Sequence, residues 1–337
     1  MSFWEKIKKP IIALAPMADV TDVAFRKIIA KYGKPDVLWT EFVSADGLCF
    51  APRSASRSGV GGKEQLIKDL KFDESERPIV VQFFTSNPET IEEAARLAAE
   101  MGFDGIDINM GCPDKSIEKQ KAGAALMKNP KLAKEIIYAA KRGAGNVPVS
   151  VKTRIGFNKN ELESWLPEIL ETEPVAIIVH ARTRKEMSKV PANWDFVKRA
   201  VEIRDERKSK TLILGNGDVN NLSEAFQRVR ETGCDGVMIG RGIFGNPWLF
   251  ANLEKFKNVQ EVEDASVETS EKLKVLVEHT KLFEKLVSHK NFAVMKKHFK
   301  AYVNGFDGAK ELRMQLMEAE NADEVEKIIE NFIDKSK

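Results

Sequence analysis

Short apolar runs rich in β-branched residues alternate with stretches of helical spacing along most of the chain. Eight runs predict strands, at residues 11–17, 37–43, 79–84, 105–110, 149–154, 176–182, 212–217 and 237–240. Apolar residues three and four apart predict helices after most of these runs, at residues 88–101, 131–142, 161–170, 194–203 and 222–232. Buried strands separated by helices are typical of a parallel sheet, and eight such units in about 250 residues match an α/β protein with a (β/α)₈ TIM barrel. A doubly wound open sheet is the alternative fold.

Polar side chains and glycines recur where the predicted strands end. The residues concerned are Pro16, Met17, Gln82, Asn109, Cys112, Lys152, Arg154, His180, Arg182, Asn216, Gly217, Asp218, Gly240, Arg241 and Gly242. Catalytic groups of TIM barrels lie at the carboxyl ends of the strands, and charged groups would be costly inside the barrel. Any one of these residues could be a solvated or capping residue, but their shared position predicts an active site on one rim.

Cys112 stands in a Gly-Cys-Pro turn, shortly after the strand that delivers Asn109. Gly111 allows backbone geometries that other residues resist, and Pro113 pushes the residue before it out of the helical region. The resulting rigid bend predicts a reactive thiol at a strand end. The alternative is that Cys112 is a small buried hydrophobic residue, which is the usual role of a free cysteine.

Glycines follow the seventh and eighth predicted strands, in Gly215-Asn216-Gly217 and Gly240-Arg241-Gly242. TIM barrels commonly bind phosphate at these two places through backbone N–H groups, so the glycines predict a cofactor with an anionic tail. The run from Gly240 to Gly245 also matches the G-x-G-x-x-G pattern of dinucleotide sites. That pattern requires a helix and a further strand, which the polar sequence that follows does not predict.

Composition indicates an ordinary globular protein. The chain has 337 residues, 43% of them hydrophobic, with 53 basic against 51 acidic side chains and a net charge of +2. This length can bury a sizeable core and is typical of two domains, while the charge neither demands nor excludes a nucleic-acid partner. Cys49, Cys112 and Cys234 are far apart and odd in number, so no disulfide framework or zinc site is indicated. Since no apolar segment is long enough, we expect no export, no membrane insertion and a cytoplasmic location.

The pattern changes in the last quarter of the chain. A polar linker over residues 255–270 is predicted to separate the barrel domain, residues 1–254, from an all-helical domain over residues 271–337. Within the helical domain an apolar stripe at helical spacing predicts a helix packed in a small bundle. The residues of the stripe are Phe292, Met295, Phe299 and Tyr302.

Positive charge is concentrated in residues 281–313, which hold eight Lys or Arg against three Asp or Glu, a balance of +5. Lys296, Lys297 and Lys300 lie off the apolar stripe. Such a basic patch is either a footprint for a nucleic-acid phosphate backbone or a solvated helix face, and the charge alone does not distinguish the two.

In their order along the chain, these motifs resemble those of the tRNA-dihydrouridine synthase family. The matching blocks are Ala15-Pro16-Met17-Ala18-Asp19-Val20-Thr21-Asp22, Asn109-Met110-Gly111-Cys112-Pro113, Val151-Lys152-Thr153-Arg154, His180-Ala181-Arg182-Thr183, Gly215-Asn216-Gly217-Asp218 and Gly240-Arg241-Gly242. More loosely, Lys297-His298, Tyr302 and Leu312-Arg313 resemble parts of the family's RNA-facing helices. Residues 119–123 depart from the family by holding fewer glycines after the cysteine, which leaves the distance of this loop from substrate open.

The resemblance implies an enzyme that reduces the C5=C6 bond of specific uridines in tRNA to 5,6-dihydrouridine, with FMN as cofactor and NADPH or NADH as electron donor. It implies that Cys112 is the acid that protonates C5. The residues implied to bind FMN are Pro16, Met17, Gln82, Lys152, His180, Asn216, Gly217, Gly240 and Arg241. Those implied to bind substrate are Asn109, Arg154 and Arg182 in the barrel and Lys296, Lys297, Lys300 and Arg313 in the helical domain.

Two other functions stay open. A flavin barrel could reduce a free pyrimidine or another small enone, which would leave the basic helical domain without a role. A non-catalytic RNA-binding barrel protein is the other alternative, against which the intact set of Cys112, Lys152 and His180 argues. Neither a metal site nor an obligate protein partner is indicated.

Overall fold

The structure is a computed structural model that describes residues 2–50, 62–258 and 262–335. Its eight strands are β1 Ile11–Leu14, β2 Leu38–Ser44, β3 Ile79–Phe84, β4 Gly105–Met110, β5 Val149–Arg154, β6 Ala176–His180, β7 Leu212–Asn216 and β8 Gly236–Ile239. All are parallel, in the order β1-β8-β7-β6-β5-β4-β3-β2. The Leu14 amide also donates to the Val37 carbonyl, over 3.1 Å, so the sheet curls until β1 meets the start of β2. The TIM-barrel prediction is confirmed.

Helices follow most strands and cover the outside of the barrel. The helices are α1 Val23–Tyr32, α2 Ala45–Phe50, α3 Lys63–Asp69, α4 Pro88–Glu100, α5 Lys115–Lys119, α6 Pro130–Ala144, α7 Leu162–Leu170, α8 Asp195–Glu206, α9 Leu222–Thr232, α10 Leu253–Asn258, α11 Thr269–Leu286, α12 Met295–Tyr302, α13 Ala309–Glu318 and α14 Ala322–Lys335. The predicted barrel helices correspond to α4 and α6–α9, with ends that differ by at most three residues.

Local sequence explains where two of these helices begin. The side chain of Asn87 accepts a hydrogen bond of 2.9 Å from the Glu89 amide, and Pro88 occupies the first helical position of α4. Asn129 and Pro130 start α6 in the same way. An asparagine cap satisfies an amide that the helix leaves unpaired, and proline at this position loses no hydrogen bond.

Two apolar layers form the core. One fills the barrel from inside, where Trp4 from the N-terminal 3₁₀ turn packs against Trp39 with ring centroids 6.0 Å apart. The other lies between the strands and the surrounding helices and continues into the helical tail, α11–α14. The interior of the barrel is therefore packed below its carboxyl rim, and open volume for a ligand lies above this packing.

The helical tail packs on the barrel through α11 against α1. The predicted apolar stripe is confirmed, since Met295, Phe299 and Tyr302 are buried and Phe292 is half-buried. Of the predicted linker, residues 255–258 belong to α10 and residues 259–261 lie outside the described residues. The division into domains stays a prediction. Among the described residues, no helix has the length and apolar content needed to span a bilayer.

Candidate active site

A cavity of about 580 Å³ opens at the carboxyl ends of the strands. Every barrel residue predicted to bind cofactor or substrate lines it, together with Cys112. The residues brought together are Pro16, Met17, Gln82, Asn109, Cys112, Lys152, Arg154, His180, Arg182, Asn216, Gly217, Gly240 and Arg241. Lys296, Lys297, Lys300 and Arg313 are not part of the lining. The roles of these residues stay predictions, but the barrel members do share one site.

Asn109 organises the turn that carries Cys112. Its side-chain oxygen accepts hydrogen bonds from the backbone amides of Gly111, at 3.1 Å, and Cys112, at 2.9 Å. Its amide nitrogen donates to Oε1 of Gln82 over 2.9 Å. The thiol is therefore presented to the cavity by a turn that is bonded back to the strand before it.

The loop whose position the sequence left open lies against this turn. The Ala124 amide donates to the Cys112 carbonyl oxygen over 3.0 Å. A Cβ at Gly123 would lie 3.0 Å from that same oxygen. The loop is thus in contact with Cys112 even though it holds few glycines.

Burial raises the pKa of the Cys112 thiol, and the nearby positive charges of Arg154 and Lys152 only partly oppose this. The structure therefore favours the protonated thiol at neutral pH. A protonated thiol can donate a proton, whereas a thiolate would act as a nucleophile. Cys49 and Cys234 are also free, so neither forms a disulfide.

Lys152 on β5 reaches across the cavity to β7, where its Nζ donates to the side-chain oxygen of Asn216 over 2.9 Å. Asn216 is fixed in turn because its amide nitrogen donates to the Met238 carbonyl at 2.8 Å. Burial, followed by the charge of Arg154, lowers the pKa of Lys152 to about 8. The ammonium group is consequently held at one place and remains largely charged at neutral pH.

Arg154 braces two loops at the rim. Its Nε donates to the Gly111 carbonyl at 2.8 Å, and its Nη1 donates to the carbonyls of Thr183, at 3.1 Å, and Met187, at 3.0 Å. Most of its donor capacity is thus used within the protein. The guanidinium ties the Cys112 turn to the loop after β6.

The Asp218 carboxylate interacts with two arginines, Arg182 and Arg241, and His180 lies beside Arg182. Arg182 Nη1 lies 3.2 Å from His180 Nε2, and Arg182 Nη2 forms an ion pair with Asp218. Arg241 Nη2 donates to the other oxygen of Asp218 over 2.8 Å. Burial and the surrounding cations, Arg154 first, hold the pKa of His180 well below its usual range. The imidazole is therefore neutral.

Two glycines allow the loops after β7 and β8 to approach the cavity closely. Gly217 has φ +128°, and a Cβ there would lie 2.7 Å from the Ala192 Cβ. A Cβ at Gly242 would lie 2.8 Å from the Val219 carbonyl oxygen. Larger residues at these two positions would push the loops apart, so glycine permits their close approach at this end of the cavity.

Several residues of the cavity had no role in the sequence interpretation. They are Phe42, Met187, Ser188, Val219, Asn220 and Met238. The sequence places Asp218 on the predicted rim, because it directly follows the glycine motif at the end of β7, but assigns it no binding role. Met187 and Ser188 carried no signal in the sequence, since they come from the middle of a loop that only the folded chain brings to the rim.

Several cations in residues 281–313 of the tail form ion pairs, so fewer of them are available to a ligand than the count of charges suggested. Lys290 is half-buried and pairs with Glu41 at 2.7 Å, and Lys281 pairs with Glu326 at 2.6 Å. Lys297 lies 3.9 Å from Asp19. Of the residues that resemble the family's RNA-facing helices, His298, Tyr302 and Leu312 are buried, so their side chains are not part of an exposed basic face.

Lys296 and Lys300 form no ion pair with any residue that the structure describes, and Lys300 is exposed while Lys296 is half-buried. The side chain of Arg313 donates to the Val303 carbonyl at 2.7 Å. The segment of residues 281–313 therefore presents less unpaired positive charge than its +5 balance implied.

An eightfold parallel barrel with a polar cavity at its carboxyl rim defines a TIM-barrel protein with an enzyme-type site. The chain belongs to the dihydrouridine synthase (Dus) family, whose sequence model matches residues 13–337. That family consists of flavin oxidoreductases, so the chain is an enzyme of this class.

Relatives match almost the whole chain. A protein called probable tRNA-dihydrouridine synthase from Staphylococcus aureus (strain COL) is 38% identical over 334 residues, which cover 98% of this chain and 95% of that protein. Probable tRNA-dihydrouridine synthase 2 from Bacillus subtilis (strain 168) is 37% identical, with 98% and 96% covered.

Solved structures with the same fold are more distant. Morphinone reductase is 12% identical, with a TM-score of 0.52 over 77% of this chain and 88% of its own. Histamine dehydrogenase from Rhizobium sp. 4-9 is 11% identical, with a TM-score of 0.53 over 81% of this chain and 49% of its own. These likenesses support the barrel fold alone.

Proposed function

We propose that this enzyme reduces the C5=C6 bond of uridine in tRNA to 5,6-dihydrouridine, with FMN as bound cofactor and NADPH or NADH as reductant. The observation that carries the proposal is the meeting of Cys112, Lys152 and His180 in one cavity of a dihydrouridine synthase. The names of the relatives supply the substrate class.

The cavity suits FMN in size and in the distribution of its polar groups. Its volume of about 580 Å³ falls within the roughly 300–1,000 Å³ of ligand sites. Gly217, Gly240 and Arg241 would hold the phosphate at the end formed by the loops after β7 and β8. Gln82 and Lys152 would contact the ring system at the other end. Asp218 keeps Arg241 pointed along the rim, so phosphate would share this guanidinium with a carboxylate.

Reduction of uracil requires a hydride at C6 and a proton at C5. Reduced FMN supplies the hydride when it is bound. The Cys112 thiol donates the proton, since its raised pKa keeps it protonated at neutral pH. Arg154 and Lys152 then stabilise the thiolate that remains, because both cations interact with it electrostatically.

Lys152 has a second task, which is to stabilise negative charge that develops on the reacting groups. Its bond to Asn216 fixes where this charge is placed. His180, kept neutral, orients a ring by hydrogen bonding without adding a further cation. Asn109, Arg154 and Arg182 position the base.

A uridine in folded tRNA must leave its stack to enter the barrel mouth. The tail gives the protein a surface for the phosphate backbone, and Lys296, Lys297, Lys300 and Arg313 are the side chains proposed to bind it. Lys297 lies near Asp19, two residues after the cavity residue Met17, so this surface borders the mouth.

The test uses the purified full-length protein and an unmodified tRNA transcript. We expect flavin absorbance, release of FMN on denaturation, and dihydrouridine detected by nucleoside mass spectrometry after addition of NADPH. A protein without flavin absorbance that gains none with added FMN would overturn the cofactor assignment. Free uridine reduced as fast as tRNA would overturn the substrate assignment.

A further inference from the structure

A carboxylate to which the proposed chemistry gives no role lies one layer below the cavity. Asp107 stands in the middle of β4 and is fully buried. Its Oδ1 accepts a hydrogen bond from the Ser150 hydroxyl at 2.6 Å, and its Oδ2 accepts one from Nε2 of Gln82 at 2.5 Å. A carboxylate is expensive to bury, so a specific reason for this one is expected.

The hydrogen bonds that link Asp107 to Gln82 and Gln82 to Asn109 have a fixed order of donor and acceptor. An ionised carboxylate only accepts hydrogen bonds, so Gln82 must turn its NH₂ group towards Asp107 and its oxygen away. That oxygen accepts from Nδ2 of Asn109 at 2.9 Å. The orientation of the first amide thereby decides the orientation of the second.

The end of this chain of bonds is the catalytic turn. With Nδ2 engaged by Gln82, the oxygen of Asn109 is left to accept from the amides of Gly111 and Cys112. If Asn109 were rotated by 180°, its NH₂ group would face these two N–H groups and all three bonds at this point would be lost.

We infer that Asp107 is a positioning residue: through Gln82 and Asn109 it fixes the turn that presents the Cys112 thiol. Its importance for catalysis rests on the proposed function, whereas its control of the thiol does not. A side-chain amide at position 107 could present either its NH₂ group or its oxygen to Gln82. Only a group that accepts hydrogen bonds without donating them fixes the orientation of the Gln82 amide.

The charge of Lys152 helps to keep Asp107 in the form that the inference requires. Burial raises the pKa of Asp107 to about 6, and hydrogen bonds from Ser150 and Gln82 and the charge of Lys152 oppose the rise. At neutral pH the side chain is therefore mainly ionised and accepts on both oxygens.

The test exchanges the donor and the acceptor at the first link. In Gln82→Glu two carboxylates face each other, and they either share a proton or repel. In the double variant Gln82→Glu with Asp107→Asn, the new amide at 107 donates to the new carboxylate at 82, which still accepts from Asn109. At high pH the first variant loses the hydrogen bond between positions 82 and 107, and repulsion between the two carboxylates displaces the group that accepts from Asn109. The second variant restores that hydrogen bond.

The readout is the rate at which iodoacetamide alkylates Cys112, followed by mass spectrometry in full-length protein with Cys49 and Cys234 replaced by alanine. It is measured with and without bound flavin. For Gln82→Glu we expect a rate that departs from the parent by about tenfold as pH rises, because small displacements at a reacting group have large effects. The double variant should follow the parent at every pH.

Ser150→Ala is the matched control, since it removes the other hydrogen bond to Asp107 and leaves the direction of Gln82 unchanged. Its alkylation rate should stay within about twofold of the parent. A double variant no closer to the parent than Gln82→Glu, or a Gln82→Glu variant equal to the parent at high pH, would overturn the inference. Thermal unfolding of each variant establishes that it is folded.

Uridine reduction separates this inference from the proposed function. If both hold, the double variant recovers kcat for tRNA relative to Gln82→Glu. If the parent does not reduce tRNA but the alkylation pattern appears, the proposed function fails and the positioning role of Asp107 stands.

Discussion

The cations at the rim of the barrel and those on α12 of the tail differ in what holds them. Lys152 and Arg154 are bonded to oxygens of neighbouring strands and loops at 2.8–3.1 Å. Lys296 and Lys300 have no ion-pair partner within the described residues. Charges that act on one reacting bond must be fixed in place, whereas charges that attract a phosphate backbone need only be present. This difference fits the proposed roles of the rim as reaction centre and of the tail as docking surface.

The largest effect is expected from removal of the Cys112 thiol, which is the proposed proton donor at the rim. Cys112→Ala should slow uridine reduction by about 10²–10⁴-fold, because a general acid contributes on this scale. Reduction of the flavin by NADPH should persist, since it does not need the thiol. Stopped-flow measurement of the two half-reactions separates these effects.

Cys234→Ala is the control, because Cys234 is buried two residues before the start of β8 and does not line the cavity. It should preserve most of the turnover. Near-normal reduction of tRNA by Cys112→Ala would remove the thiol from the mechanism.

The contact between the tail and the barrel contains two buried histidines. His279 of α11 and His298 of α12 are fully buried, with ring centroids 4.6 Å apart, and both pack on Phe25 of α1. Their ring nitrogens have no hydrogen-bond partner among the described residues. Burial holds the pKa of His279 well below its usual range and lowers that of His298 to about 3.

This junction predicts a loss of stability in acid. A histidine whose pKa is lower in the folded than in the unfolded state binds fewer protons when folded, so its contribution is complete above about pH 6.5 and is lost as the pH falls. We expect a loss of about 2 kcal/mol per histidine at about pH 5. Melting temperatures measured at falling pH test this.

His279→Leu with His298→Leu should flatten that pH dependence. His289→Gln is the control, because His289 pairs with Asp69 at 2.8 Å and is not part of the buried pair. A double variant that is as acid-sensitive as the parent would show that the sensitivity arises elsewhere.

A smaller effect is expected where the rim meets the cofactor phosphate. Arg241→Ala should weaken FMN binding by about tenfold to a hundredfold, since it removes one charge-assisted hydrogen bond. Asp218→Asn offers a contrast, because it frees Arg241 from its carboxylate and should leave binding equal or tighter. Both affinities are measurable by quenching of flavin fluorescence, and equal affinity of Arg241→Ala and parent would place the phosphate elsewhere.

The sequence identified the rim better than the tail, for physical reasons. Strands β3, β4 and β5 have the predicted bounds because apolar runs end there at turns. The predictions for β1 and β6 ran too far, to Met17 and Arg182, since the chain bends at the rim without a change in pattern. Topology then brings all strand ends together, so strand counting alone locates the site.

In the tail, by contrast, the outcome depended on contacts between distant segments. Glu41 and Glu326 neutralise Lys290 and Lys281, and no local pattern relates these residues. His298 follows Lys297 within the basic segment, but its ring turns inward onto Phe25. Asp107 could be noticed in the sequence as a single acidic residue within an apolar strand. Its proposed role became apparent only from its hydrogen bonds to Gln82 and Ser150 in the structure.

The smallest expected effect tests the docking surface itself. Changing Lys296, Lys297 and Lys300 together to alanine should weaken tRNA binding by roughly tenfold and lower the slope of log affinity against log salt by about 2–3. The buried stripe of α12 is untouched, so folding, FMN content and alkylation of Cys112 should match the parent. Changing Arg207, Lys208 and Lys210 to alanine is the control, since it also removes three cations, here just before β7 at the end of the barrel opposite the cavity. Equal salt dependence in the two triple variants would make the lysines of α12 a solvated face, whereas a difference confined to α12 would assign the tail its part in binding RNA.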